Sequence, residues 1–570
     1  MSKKEELSIL RHSAAHLLGH AVLELFPETK LTLGPPTKDG FFYDFLPKQN
    51  FKEEDLPKIE AKMHEIAEQC LPLEHKQITK AKAREIYKDN PFKLELIDGI
   101  PGDTVGLATQ GNFFDLCRGG HVTKTSDIKH FKLTAISGSY WRADKENQAL
   151  QRISGTAYLT AEDELEAEKA KEEAEKYSHR RLGKDLDLFS FHTEGPGFPF
   201  FHPKGQVVIN ELITYMRKLQ KEAGYKEIST PVMLSDDLWK QSGHYEHYKD
   251  NMFFSEIEKT SYAVKPMNCP GSILVYKNRP RSFKELPLKL AEYGKVHRNE
   301  LSGVLNGLLR VRAFTQDDAH IYCTSDQIEE QIIQATEIAY KVYNLFGFND
   351  VKVAISTRPK NAMGSEELFN KAADALKNAL DSLNIKYIIQ EGEGAFYGPK
   401  IEFVIKDSMD REWQCGTIQV DFINPESFNL SYVATSGNKE RPVMIHHVQY
   451  GSIERFFAIL LEHHKGNLPF LISPIQIKIL TITDDQKDYA MEILDKLIQE
   501  GLRVEIDNSS DPISGKIKAA QLEKIPWMLV IGNKEKEQKT ITLRNLKGDQ
   551  QFGLTLENII KQSKEASEIS

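Results

Sequence analysis

Glu292-Tyr-Gly-Lys-Val-His-Arg-Asn-Glu300, a short loop, and Leu309-Arg-Val-Arg-Ala-Phe-Thr-Gln-Asp-Asp-Ala-His320 decide how this chain is read. Two extended runs joined by a loop predict a pair of strands that go out and return. Arg298 and Glu300 are two residues apart, so on an extended strand they face the same side. A guanidinium and a carboxylate there can take an α-phosphate and an adenine amino group, and the return run offers Arg310 and a base-stacking Phe314. Activating a carboxylate with a nucleoside triphosphate requires cations that hold the phosphates and stabilise charge on the attacked one. The Gly-x-x-x-x-Gly-Lys-Ser/Thr loop that often serves this purpose is absent, as is a dinucleotide-binding glycine fingerprint. The bland alternative is that Arg298 and Glu300 are ordinary surface ion-pair residues.

Working outward, strand candidates Ser261 to Val264, Leu290 to Val296 and Ile401 to Ile405 fit an antiparallel sheet better than a strict βαβ array. This region begins after the break at Gly195-Pro-Gly197. The last hundred residues change to strand–helix alternation, from Ile475 through Gly532, predicting a small α/β domain. Residues 161–176 are strong helix formers of alternating charge, read as a solvated connecting helix. Before them, Leu17, Leu18, Ala21, Val22 and Leu25 recur at helical spacing, and Gly34 to Phe45 reads as strands and a turn.

A chain of 570 residues exceeds one compact core, so several domains are expected. Five cysteines make no disulfide framework and suggest a reducing compartment. No apolar run approaches a membrane span, and the start lacks a signal-peptide h-region, so a cytoplasmic protein without membrane association is expected. The net charge of −9 argues against non-specific nucleic-acid binding without excluding a local basic face.

The out-and-back segment resembles motif 2 of the class II aminoacyl-tRNA synthetases, and Gly451-Ser-Ile-Glu-Arg455 resembles their motif 3. Met267-Asn-Cys-Pro-Gly271, Phe314 to His320 and Val443-Met-Ile-His446 narrow the resemblance to the threonyl-tRNA synthetase family. It implies an α+β multidomain fold: an editing domain over 1–160, a linker helix over 161–177, an antiparallel-sheet catalytic domain over 178–470 and an α/β anticodon-binding domain over 471–570. Read from spacing alone, Cys269, His320 and His446 carry no local metal signature; the resemblance makes them ligands of one zinc ion, with His447 as a competitor for His446. It also assigns ATP to Arg298, Glu300, Arg310, Phe314 and Arg455, with Mg2+, and threonine to Met267, Gln316, Asp318, Tyr397 and Gln419. Lys400 and His244 join Arg298 and Arg455 as catalytic residues, His244 near the terminal ribose of the tRNA. A homodimer is implied by a motif 1-like stretch around Gln206 to Pro231.

His12-Ser-Ala-Ala-His16 and Cys117-Arg-Gly-Gly-His121 read, by themselves, as a zinc site or as surface histidines, and His20 continues the helical face. The resemblance offers a third reading: with Lys93 and Asp115 they form a site that hydrolyses mischarged seryl-tRNA without needing a metal. Tyr140-Trp-Arg142 and Gln151 to Thr156 extend that match.

Glu535 and Arg544 are the implied anticodon contacts, but Ser509 to Ser514 and Lys518 depart from the family pattern, which predicts relaxed anticodon discrimination. Ser272 stands where a histidine usually follows the Met-Asn-Cys-Pro-Gly motif, and the match starts almost at the editing motif, without the family's usual ubiquitin-like domain. The competing readings are a tRNA-binding or regulatory paralogue without catalysis, and a free-standing editing protein.

Overall fold

The computed structural model of the protein describes residues 2–567 apart from 145 and 361, and divides into two compact units, Met1–Glu172 and Glu173–Ser570. The first opens on helix Lys3–Leu25. Ser2 caps it: its Oγ accepts from the Glu5 amide at 3.3 Å, and the Glu5 carboxylate accepts from the Ser2 amide at 2.7 Å. That reciprocal cap satisfies two donors the helix leaves unpaired. Leu10, Ala14, Leu17, Leu18, Ala21 and Val22 are buried in a core shared with the sheet Lys30–Leu31, Phe41–Leu46, Ala149–Tyr158 and His130–Tyr140, in that order. Burying Leu17 or Leu18 fully is worth about 1.5–3 kcal/mol each. The strand expected from Gly34 begins only at Phe41, because Pro35 and Pro36 have no N–H to give a ladder. A second sheet comprises Leu73–Thr79, Thr104–Gln110 and Phe113–Leu116.

In the second unit, eight strands form a central sheet that we number in chain order: β1 Lys226–Glu227, β2 Leu288–His297, β3 Ala313–Cys323, β4 Val351–Ser356, β5 Tyr387–Gln390, β6 Lys400–Lys406, β7 Glu412–Asp421 and β8 Val443–Val448. Their order is β1-β2-β3-β8-β7-β6-β4-β5, antiparallel except for the outermost pair at each edge. Helices Pro203–Glu222, Ile328–Leu345, Glu366–Ser382 and Ile453–His463 share one apolar core with this sheet. Thr260–Val264, expected among these strands, instead joins a separate sheet with Met233–Ser235 and Phe253–Ile257. It closes a hairpin over Glu258 and Lys259, both at positive φ (51° and 65°). A two-residue turn with both φ positive usually signals itself by Asn or Gly, so Glu-Lys gave no turn signal.

The C-terminal sheet runs Val504–Asp507, Ile477–Thr481, Trp527–Ile531, Ile541–Asn545, Gln550–Leu554. Its first three strands are parallel, as strand–helix alternation predicts; the last two are antiparallel additions that the alternation did not foresee. Among the described residues no helix is long and apolar enough to cross a membrane.

Candidate functional site

Register across the central sheet assembles the site. His320 on β3 lies opposite His446 on β8, His446 opposite Gln419 on β7, and Gln419 opposite Lys400 on β6. Ladder partners project to the same face, so four residues far apart in sequence make one row. Alternation along β3 adds Phe314, Gln316 and Asp318 to that face. A cavity of about 800 Å³ opens there, lined by these residues and by Met267, Cys269, Arg298, Glu300, Arg310, Tyr397 and Arg455.

Arg298 and Glu300 reach the cavity by a different route from the one predicted. β2 ends at His297, and the Glu300 amide donates to the Arg298 carbonyl at 2.8 Å, closing a tight turn. Strand alternation therefore stops short of both residues. The Arg298 guanidinium stands 5.1 Å from the Phe314 ring centroid, and the Glu300 carboxylate accepts from Arg310 Nε at 3.0 Å.

Cys269 begins helix Cys269–Lys277, and its Sγ lies within 4.8 Å of a ring nitrogen of both His320 and His446, which are likewise that close to each other. His320 Nε2 is buried without a hydrogen-bond partner. His446 Nε2 is 2.9 Å from Asp421 Oδ2, which leaves its other ring nitrogen for a cation. Asp421 is itself held by the amides of Ile423 (2.7 Å) and Asn424 (2.9 Å) and by Asn424 Nδ2 (2.6 Å). A carboxylate behind a ligating imidazole fixes its orientation. Burial pushes the Cys269 thiol well above its ordinary range and raises the Asp318 carboxyl to about 7. One sulfur, two imidazoles, one of them with an unpartnered nitrogen, and a neighbouring acid make a donor set that fits zinc. His447 is not part of it: its Nδ1 accepts from Gln449 Nε2 at 3.1 Å, which leaves the ring proton on Nε2 to donate to Tyr225 OH at 2.7 Å. His244 stands behind the cavity wall and not on it: it is fully buried, its Nδ1 is 2.8 Å from Ser242 Oγ, and burial pushes its pKa down to about 3.

Several residues missed in the sequence hold these groups. Asn268 Nδ2 donates to Asp318 Oδ2 at 3.1 Å. Asp317, on the opposite face of β3, accepts the amides of Gln449, Tyr450 and Gly451 at 2.8–3.0 Å, and Glu454 accepts the Thr315 amide at 2.8 Å. They tie the Gly451 turn to β3, and so set the start of the helix that carries Arg455. Arg455 Nε is buried without a partner, as is Gln316 Oε1. Tyr397 OH donates to Gln419 Oε1 at 2.5 Å, and Lys400 Nζ pairs with Glu402 at 2.9 Å.

In the first unit His12 and His16 lie one turn apart on helix Lys3–Leu25. Their donor atoms and those of Cys117 and His121 all fall within 4.8 Å of one another. Gly119 and Gly120 take positive φ (97° and 82°), which turns the chain back so that His121 Nε2 comes 3.0 Å from Cys117 Sγ. His12 Nδ1 is 3.3 Å from the Gly120 carbonyl. Burial, and then mutual repulsion, pushes His16 well below the ordinary range and His121 to about 4, so these imidazoles are neutral. Beside them Lys93 and Asp115 form a buried ion pair, and Tyr43 OH, unforeseen in the sequence, donates to Asp115 at 2.5 Å. His20 leaves the cluster: its ring stacks on Phe113 and its Nδ1 meets Gln110. Trp141 donates to Glu95, and Arg152 pairs with Asp44, so both are structural.

In the C-terminal domain the Glu535 carboxylate is engaged internally, accepting from the Gly532 amide at 3.0 Å and Thr542 Oγ1 at 2.9 Å. Arg544 Nε is buried without a partner. Ser509 to Ser514 lead into helix Ile513–Leu522, and Lys518 is exposed. Ser272 is buried, its Oγ 3.0 Å from Tyr322 OH.

Three family models match successive parts of the chain: the threonyl and alanyl tRNA synthetase second additional domain over 105–154, the class II tRNA synthetase core domain (G, H, P, S and T) over 253–464, and an anticodon binding domain over 470–566. The threonine–tRNA ligase of Carboxydothermus hydrogenoformans is 49% identical over 95% of this chain and 86% of its own, and that of Thermotoga maritima 49% over 94% and 84%. Among solved structures, the RNA binding domain of threonyl-tRNA synthetase from Cryptosporidium parvum superposes with a TM-score of 0.67 at 42% identity, over 69% of this chain and 99% of that one. A prolyl-tRNA synthetase from the same organism, at 14% identity and TM-score 0.54 over 68% and 75%, shares the fold alone. With an editing-associated domain, a class II core and an anticodon-binding domain in this order, the chain belongs to the threonine–tRNA ligase family of class II aminoacyl-tRNA synthetases.

Proposed function

We propose that the protein ligates threonine to tRNA(Thr) through a threonyl-adenylate formed from ATP, and hydrolyses mischarged seryl-tRNA(Thr) at the His12/Cys117 cluster. Residues 1–160 would be the editing domain, 161–177 its linker helix, 178–470 the catalytic domain and 471–570 the anticodon-binding domain. The observation that carries the reading is the row His320–His446–Gln419–Lys400, facing one cavity with Arg298 and Arg455.

In that cavity Glu300 accepts from the adenine amino group, Phe314 stacks on the base, and Arg310 and Arg455 hold the far phosphates, with Mg2+ arriving as part of the nucleotide substrate. Arg298 bridges the α-phosphate and the threonine carboxylate. A carboxylate oxygen attacks the α-phosphorus, the bond to the β-phosphate oxygen breaks, and pyrophosphate leaves. Arg298 and Lys400 offset the charge that develops. Zinc held by Cys269, His320 and His446 would supply open coordination positions for the amino group and hydroxyl of threonine. Asp318 Oδ1 accepts a hydrogen bond from that hydroxyl; valine, nearly isosteric, would leave this buried oxygen without its partner. Met267, Tyr397 and Gln419 complete the wall.

Serine retains the hydroxyl and lacks only a methyl worth about 1–3 kcal/mol, too little for accuracy at one site. The neutral imidazoles of the N-terminal cluster are suited to position, by hydrogen bonds, a water that attacks the seryl ester carbonyl; the water gives up a proton and the ribose oxygen leaves with one. Lys93, fixed by Asp115, neutralises the developing oxyanion.

Threonine-dependent ATP–pyrophosphate exchange tests the reading. Exchange is expected with threonine, weakly with serine and barely with valine; no threonine-dependent exchange would sink it. The motif 1-like helix Pro203–Glu222 and β1 support a homodimer, for which sedimentation should give twice the 65.0 kDa chain mass; a monomer at working concentration would refute it.

A further inference from the structure

His179, absent from every motif above, occupies the first position of helix His179–Asp185 and is 2% exposed. Its Nε2 accepts from the Leu308 amide at 3.1 Å. Its Nδ1 lies 2.6 Å from Glu462 Oε1, which also accepts the His179 amide at 2.8 Å. An amide N–H can only donate, so Nε2 is the acceptor and the proton sits on Nδ1, directed at Glu462. The ring is therefore held in one tautomer between two elements of the ATP cavity.

Leu308 belongs to the turn Gly307–Leu309, which precedes Arg310; Leu308, Leu309 and Arg310 all line the cavity. Glu462 lies on helix Ile453–His463, seven residues after Arg455, about two turns further along the same face. Glu462 also pairs with Arg411, which binds Asp407 at 2.8 Å. Asp407 accepts from Trp413 Nε1 at 2.8 Å, and the Trp413 ring lies 5.7 Å from the Arg455 guanidinium. The turn is shaped around the imidazole: Gly307 has φ of 50°, and a Cβ there would meet His179 Nε2 at 2.0 Å.

We infer that His179 is a positioning residue that bolts the Arg310 turn to the Arg455 helix, so that the two arginines approach ATP as one preorganised pair. The inference rests on the ligase reading above. It acts on nucleotide binding and leaves the threonine pocket alone, because no bond of the bolt reaches Asp318, Gln419 or the Cys269 triad.

Threonine-dependent ATP–pyrophosphate exchange is measured for wild type, His179→Ala, His179→Gln and Gly307→Ala, with thermal unfolding of each. Wild-type exchange establishes the parent reading independently of the variants. His179→Ala should raise the KM for ATP about tenfold, the effect of one buried unsatisfied hydrogen bond, with the threonine KM within about twofold. His179→Gln, whose amide can accept from Leu308 and donate to Glu462, should recover most of that loss. Gly307→Ala should reproduce the His179→Ala pattern with the histidine intact. Equal rises in both KM values, an unchanged ATP KM in a folded variant, or no recovery in His179→Gln would overturn the inference.

Discussion

A Cβ on Gly294 would meet Asn268 Oδ1 at 2.1 Å, so the glycine in Glu-Tyr-Gly-Lys exists to admit Asn268 beneath Asp318. Three side chains facing the cavity are supported from behind: His446 by Asp421, Asp318 by Asn268, Gln419 by Tyr397. Ser272, where the family pattern has histidine, fits for a similar reason, since its hydroxyl meets Tyr322 OH directly behind Cys269. At this scale the zinc proposal is sharpest. Cys269→Ser replaces a soft thiolate by a hydroxyl that does not ionise at neutral pH, so the purified variant should lose its zinc and bind threonine weakly while its ATP KM stays put. Elemental analysis that found full zinc in the variant would refute the ligand assignment.

β3 does two jobs through its period of two. One face presents Phe314, Gln316, Asp318 and His320 to the cavity; the other presents Thr315 and Asp317 to Glu454 and the amides of 449–451. The alternation was readable in the sequence; the partners of the second face were not, because they lie more than a hundred residues away. The hairpin carrying Asp407, Arg411 and Trp413 shows the cost of such ties. Burial alone would raise the Asp407 carboxyl, but the bonds from Trp413, Arg411 and the Met409 and Arg411 amides outweigh it, holding the group below its usual 3.8. A folded-state value below the unfolded one stabilises above pH 3.8, and that contribution disappears as pH falls through the lower, folded value. The unfolding free-energy difference between wild type and Asp407→Asn should therefore be constant near neutrality and shrink below pH 3.8. Denaturation curves whose difference grew on acidification would contradict the ion-pair account.

At the scale of the whole molecule the proposed editing and ligase sites fall in different compact units. His12→Ala combined with His16→Ala removes two neutral imidazoles from the first without touching the second. Seryl-tRNA should then accumulate in aminoacylation assays, while threonine-dependent pyrophosphate exchange remains within about twofold of wild type. A variant that still cleared seryl-tRNA would place editing elsewhere.

The sequence by itself determined the chemistry that each segment offers. Strand alternation, the charged linker helix, the strand–helix order of the last hundred residues and the motifs around Arg298 and Arg455 depend on local spacing, and local spacing survives in one dimension; Cys269, His320 and His446 share no such spacing and were joined only by the family resemblance. Tertiary structure alone decided who meets whom. Sheet register put His320, His446, Gln419 and Lys400 in one row, and set His447 to the other side. It moved Thr260–Val264 to another sheet, ended β2 before Arg298, and brought His179 to Leu308 across more than a hundred residues. The physical reason is that a hydrogen bond or a ladder pair needs complementarity between two surfaces, and a sequence specifies only one of them at a time.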